Sequence, residues 1–106
     1  MISEQNIALA ARKLKQAAPS GSRVVLFGSY AKGTAQSHSD IDFMIVEPQV
    51  DQWLRETNRL YRAVRSLRLP VDLVVTTEAI FQENKDSEST VYHEAYKHGK
   101  AFDAFA

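Results

Sequence analysis

Apolar residues recur along this chain at two periods, and each change of period marks an element. From Ser3 to Ala18 the residues Ile7, Ala10, Ala11, Leu14, Ala17 and Ala18 share one side of a 3.6-residue repeat, with Arg12, Lys13 and Lys15 largely on the other. That spacing predicts an amphipathic helix. Ser3 is placed to cap it, Glu4 favours the positive end of its dipole, and Ala18-Pro19-Ser20-Gly21 stops it. Arg23 to Phe27 is a short apolar run that predicts a first strand, and Asp40 to Val46, closed by Pro48, predicts a second. Between them, Gly28 to Ser39 reads as turn, short helix and polar loop.

The helical period returns from Asp51 to Leu69, with Trp53, Leu54, Leu60, Tyr61, Val64 and Leu67 as the expected buried stripe. Val71 to Thr76 predicts a third strand. Thr77 then caps a short helix over 78–83, a polar linker covers 84–89, and a last helix spans Thr90 to His98 with Gly99 as its C′ residue. The tail could dock through Phe102 and Phe105. This order predicts an α+β fold: a small mixed sheet with helices packed mainly on one face, the other face staying open to substrate. At 106 residues the chain is one domain, 1–106.

Chemistry concentrates where strands meet turns. Asp40 and Asp42 are two apart on a predicted strand, so their carboxylates point to one side. Asp72 interrupts an otherwise apolar strand, where a lone carboxylate is costly unless something positive pairs with it. Three acids that can converge on one sheet face suggest a site for a hard divalent cation such as Mg²⁺. Upstream, the first strand runs straight into Gly28-Ser29-Tyr30-Ala31-Lys32-Gly33. A glycine turn lets a phosphate approach the backbone, helix-start amides attract an anion, and the Ser29 hydroxyl adds a donor. Triphosphate donors beside metal ligands are what phosphoryl or nucleotidyl transfer requires.

Gly28-Ser29, ten residues, then Asp40-x-Asp42, with Asp72 on a later strand, resembles the polymerase-β-type nucleotidyltransferase superfamily. Phe27-Gly-Ser-Tyr-Ala-Lys-Gly33 and Ser39-Asp-Ile-Asp-Phe43 are most similar to its minimal nucleotidyltransferases, the small antitoxin partners of HEPN-domain toxins. The resemblance runs from about Val24 to Val75. It implies the same architecture, ATP bound at Gly28 and Ser29, and two Mg²⁺ bridging Asp40 and Asp42. Asp72 would complete the metal site and draw off the proton of the acceptor hydroxyl. It also implies an acceptor: a tyrosine of a HEPN toxin, to which AMP is transferred. Lys32, where many members carry arginine, keeps the charge for a phosphate contact but loses the bidentate fork.

Composition narrows the alternatives. Hydrophobic residues at 44% and charged residues at 25% suit a globular domain, and a formal net charge of zero gives no global attraction to nucleic acid. With no cysteine, thiolate metal sites and cysteine nucleophiles are excluded. No apolar run approaches the ~18–20 residues of a membrane span, and the opening Met-Ile-Ser-Glu-Gln-Asn has no basic n-region, so a cytoplasmic location is expected. Ser39 reads as a turn residue, while His38, His93 and His98 read as surface or structural. Arg55, Arg59 and Arg62 lie opposite the apolar stripe of the second long helix, as a solvated face or as a partner-binding or RNA-facing surface. Two other functions remain open: a non-catalytic antitoxin that inhibits by contact, and a small-molecule nucleotidyltransferase. The latter usually carries an additional helical domain for its acceptor.

Overall fold

Ser3 opens the first helix as its sequence predicts: its hydroxyl accepts from the Asn6 amide at 3.1 Å. In the computed structural model, which describes residues 1–102, helix α1 (Glu4–Ala17) leads into β1 (Arg23–Phe27), the single-turn α2 (Ser29–Lys32) and β2 (Ile41–Glu47). Helix α3 (Trp53–Val64) follows and tightens into a 3₁₀ turn, Arg65–Leu67. Then come β3 (Val71–Thr77), α4 (Glu78–Asn84), α5 (Val91–His98) and β4 (Lys100–Ala101). Of the two tail aromatics, Phe102 packs against the core, and Phe105 lies outside the described residues.

The strands form one mixed sheet in the order β3-β2-β1-β4. β1 runs antiparallel to β2 and β4, and β2 runs parallel to β3. The β2–β3 connection passes through α3, as parallel neighbours require a crossover. Strand alternation then sorts the side chains. Val24, Leu26, Ile41, Phe43, Ile45, Leu73 and Val75 bury one face under α1 and α3, whose Ile7, Ala10, Leu14, Leu60 and Val64 complete that core. Val25, Phe27, Met44 and Val46 bury the other face under Phe81 of α4 and Ala95 of α5.

The two long helices therefore share one face, as the pattern predicts. The second face is less open than expected, because α4 and α5 cover it. Strand β4 was not predicted at all; two residues pairing with Val25 and Leu26 leave no periodic signal. Gly99 also differs. It ends α5 in extended backbone rather than in the left-handed conformation of a C′ glycine. It is small because of crowding: a Cβ there would stand 2.2 Å from the Ala95 carbonyl oxygen and 2.6 Å from Val25.

Helix α3 departs most from its predicted stripe. Leu60 and Val64 are buried, but Leu54 is 75% and Trp53 41% exposed. Leu54 sits roughly a quarter to a third of a turn away from Leu60 and Val64. Trp53 turns its indole to the sheet's outer edge and donates to the Val75 carbonyl at 2.8 Å. One turn before the buried Val64, the Tyr61 hydroxyl accepts from the Leu73 amide at 3.0 Å. The helix also ends earlier than expected, with Arg68 in the left-handed conformation (φ 54°) just before Leu69-Pro70.

Candidate active site

The β1–α2 junction is built around Gly28. Its φ of 74° and ψ of −155° belong to a region that only glycine enters without strain. A Cβ at Gly28 would stand 2.1 Å from an Asp42 oxygen, so the bare backbone is also what admits that carboxylate. Phe27 pairs with Asp42 across β1 and β2, which fixes the turn beside the acid. Helix α2 begins at Ser29; the Ala31 and Lys32 amides bond the Gly28 carbonyl at 3.1 Å, which leaves those of Ser29 and Tyr30 without a partner within the turn. Among the described residues the Ser29 hydroxyl makes no hydrogen bond. Tyr30 anchors the turn, accepting from the Ile2 amide at 3.2 Å, and Gly33 closes it in the left-handed conformation.

Asp42 and Asp72 are register partners in the parallel pair, so their carboxylates lie side by side on the face that carries Met44 and Val74. Asp40 stands one residue ahead of the strand and is exposed. It is close enough to act on Asp42. The Asp42 carboxyl is pushed above its usual value, first by burial, then by the negative charges of Asp72 and Asp40. The expected three-acid convergence is thus partial. Two carboxylates are adjacent and the third is within electrostatic reach. Among the described residues no group of three acids or histidines is placed to hold a metal ion by itself. That donor set still suits Mg²⁺, which keeps several waters and takes one or two carboxylates together with substrate phosphates. Crowded negative charge against a bare glycine backbone is the feature that a cation would relieve.

The remaining residues stand outside this group. Lys32 pairs with Glu94 of α5 at 3.0 Å, so in this structure it braces α5 against the turn and is not free beside Ser29. The Ser39 hydroxyl accepts from the Gln36 amide at 2.8 Å, the turn role its position suggests, and His38 is exposed in the same loop. His93 is tied to the Lys85 carbonyl at 2.9 Å, a structural contact.

A second acidic group escaped the sequence reading. Glu47 ends β2 on the face of Ile41, Phe43 and Ile45, and is only 1% exposed. Burial and a hydrogen bond to Glu56 push its carboxyl up to about 8. Glu56 is held down to about 2, chiefly by Arg59, whose guanidinium grips it through two bonds of 2.8 and 2.7 Å. With Glu47 protonated, one proton joins the two carboxyls. The only signal in the sequence was the alternation itself, which puts residue 47 on the core face once the strand is extended past Val46. A cleft of about 320 Å³ opens here, lined by Glu47, Arg55, Glu56 and Arg59, whereas Asp40 and Asp72 lie on open surface.

Comparison with known proteins gives three findings. None of the curated proteins compared with the chain matches it. Among solved structures, a toxin–antitoxin crystal structure with AMP-PNP is similar, with a TM-score of 0.64 and 25% identity over 95% of this chain and 73% of that one. The complex of a tri-AMPylated Shewanella oneidensis HEPN toxin with its MNT antitoxin shares the fold, with a TM-score of 0.61 and 19% identity over 94% of this chain and 71% of that one. Residues 7–96 match the nucleotidyltransferase domain, so the chain that carries Gly28, Asp42 and Asp72 in this arrangement belongs to the nucleotidyltransferase domain family.

Proposed function

We propose that this chain is a Mg²⁺-dependent adenylyltransferase that moves AMP from ATP to a tyrosine of a HEPN-domain partner, and so acts as an antitoxin. The observation that carries it is the placement of Asp42 and Asp72 side by side, with the Asp42 carboxylate against the bare Gly28 turn. Similarity to a toxin–antitoxin structure with AMP-PNP, and fold likeness to an antitoxin bound to an AMPylated HEPN toxin, support the choice of nucleotide and acceptor.

Each residue then has a task. Gly28 admits the β- and γ-phosphates to the start of α2, and Ser29 donates its hydroxyl to a phosphate oxygen. Asp40, Asp42 and Asp72 would hold Mg²⁺, which supplies charge neutralisation for the triphosphate and lowers the pKa of the acceptor hydroxyl. The tyrosine oxygen attacks the α-phosphorus in line, the bond to the β-phosphate bridging oxygen breaks, and pyrophosphate leaves. Asp72 would take the tyrosine proton. The product is a phosphodiester of AMP on tyrosine, whose charge and bulk would obstruct RNA at a ribonuclease site.

The test is co-expression with a HEPN protein encoded beside it, followed by intact mass spectrometry. An added AMP on a tyrosine is expected, and it should vanish with Asp42→Asn. Neutralisation by Asp42→Asn with no adduct from the parent would identify a binding antitoxin instead.

A further inference from the structure

The charge of this chain is balanced overall and segregated locally. Residues 51–70 hold five arginines, no lysine and two acids, a surplus of three positive charges in a chain whose formal net charge is zero. The structure divides those arginines. Arg59 is committed to Glu56. Arg55, Arg62, Arg65 and Arg68 are exposed, and none makes an ion pair among the described residues. Arg55 and Arg62 are two turns apart, about 10 Å, on the side of α3 opposite the buried Leu60 and Val64. Leu54 stands beside Arg55, exposed by 75%.

We propose that the solvent face of α3, formed by Leu54, Arg55 and Arg62 and continued by Arg65 in the 3₁₀ turn, docks an acidic protein surface on the partner. This rests on the proposed function, which supplies a protein partner. The complementary surface carries carboxylates about 10 Å apart, matched to Arg55 and Arg62, and an apolar notch for Leu54. Arginine suits carboxylates because its fork binds both oxygens, and arginine with an apolar anchor is a composition enriched at interfaces. A nucleic acid fits less well. It has no use for an exposed leucine, and the rest of the chain carries a net negative charge that repels a polyanion.

The face lies across the sheet from Asp42 and Asp72, because α3 covers the Phe43 side and the acids lie on the Met44 side. A partner seated on α3 leaves the acids uncovered. Holding the partner and modifying it are therefore separable, and the modified tyrosine is presented by a part of the assembly other than the surface seated on α3.

The experiment compares the parent, Arg55→Glu/Arg62→Glu and Leu54→Ala for binding to the co-expressed HEPN partner and, in a parallel arm, to an RNA oligonucleotide. The double variant should bind the partner at least about tenfold more weakly and lose much of the salt dependence of the parent complex. Leu54→Ala should weaken it by a smaller factor. Affinity for AMP-PNP with Mg²⁺ should be unchanged in both, which also establishes that they fold. Equal partner affinity in parent and double variant overturns the docking face and leaves the proposed function standing. Loss of RNA binding with intact partner binding overturns it in favour of a nucleic-acid face. Failure of the parent to bind any HEPN partner overturns both readings.

Discussion

Strand β2 carries an acid with a raised pKa near each end, and the two differ in what surrounds them. At the start, Asp42 sits half-buried beside Asp72 and Asp40, three acids with no cation among the described side chains to offset them. At the finish, roughly 17 Å along the strand, Glu47 is fully buried, but its neighbour Glu56 is clamped by Arg59. The second group is largely closed on itself: the guanidinium grips the Glu56 carboxylate, which shares a proton with Glu47, while Glu47 Oε2 makes no hydrogen bond among the described residues. The first is left in deficit, and a deficit of positive charge on an open surface is what a ligand can fill. An acid near each end of one strand is thus left uncompensated at one end and tied into the architecture at the other.

The largest effect should come from breaking the open end. Under the proposed function, Asp42→Asn is expected to reduce AMP transfer by at least about a hundredfold, or roughly 2.7 kcal/mol of transition-state stabilisation. The same change should leave the thermal midpoint of the metal-free protein unchanged or slightly higher, because it relieves repulsion from Asp72 and Asp40. A single-turnover assay alongside a melting curve separates the two. Parental transfer by an Asp40→Asn/Asp42→Asn double variant would remove these acids from the site.

Gly28→Val should be the next most damaging change. It forces a side chain into a glycine-only conformation, at roughly 1–3 kcal/mol, and into an Asp42 oxygen. Chemical denaturation should show the loss of stability, and calorimetry the loss of nucleotide binding. By contrast, Ser29→Ala removes only a hydroxyl and should weaken nucleotide binding by roughly 1–3 kcal/mol with no loss of fold.

The closed end should reveal itself through pH. Glu47 holds its proton in the fold up to about 8, whereas in the unfolded chain it releases it near its usual 4.5. Its stabilisation is complete below pH 4.5 and is lost as pH rises toward 8. Glu56 acts in the opposite sense. With its carboxyl held near 2, its contribution is present above pH 4.5 and is lost as pH falls through 2. Glu47→Gln keeps a donor for Glu56 without the titration. Thermal midpoints across pH 5–8 should flatten in this variant, with a gain of about 1–2 kcal/mol at pH 8 and little change at pH 5. An unchanged slope would show that Glu47 is ionised in the fold.

The open end was far more legible in the sequence than the closed one. Gly28, Asp40, Asp42 and Asp72 are polar or flexible residues set against apolar strands, and they stand out locally. Element order and most boundaries were also readable, because periods of 2 and 3.6 leave clear traces at α1, β1, β2 and β3. Glu56 and Arg59 are neighbours one turn apart on α3, but Glu47 meets Glu56 across nine residues and a loop, and no local pattern encodes that. The outward turn of Trp53 was hidden for a similar reason. An aromatic residue at helical spacing reads as core, yet its indole N–H had a partner on β3. Likewise the pairing of Lys32 with Glu94 depends on where α5 crosses, which the sequence does not specify.

The hydrogen bonds from Trp53 and Tyr61 to β3 have a consequence for assembly. β3 borders the sheet, and a bare border invites another chain to add a strand. Here an indole and a phenol occupy a carbonyl and an amide on that border, so main-chain augmentation and fibril-like stacking from this side are obstructed. Any complex on this flank must be made by side chains. Partner choice is then set by shape and charge, not by the generic backbone ladder that every extended segment can offer.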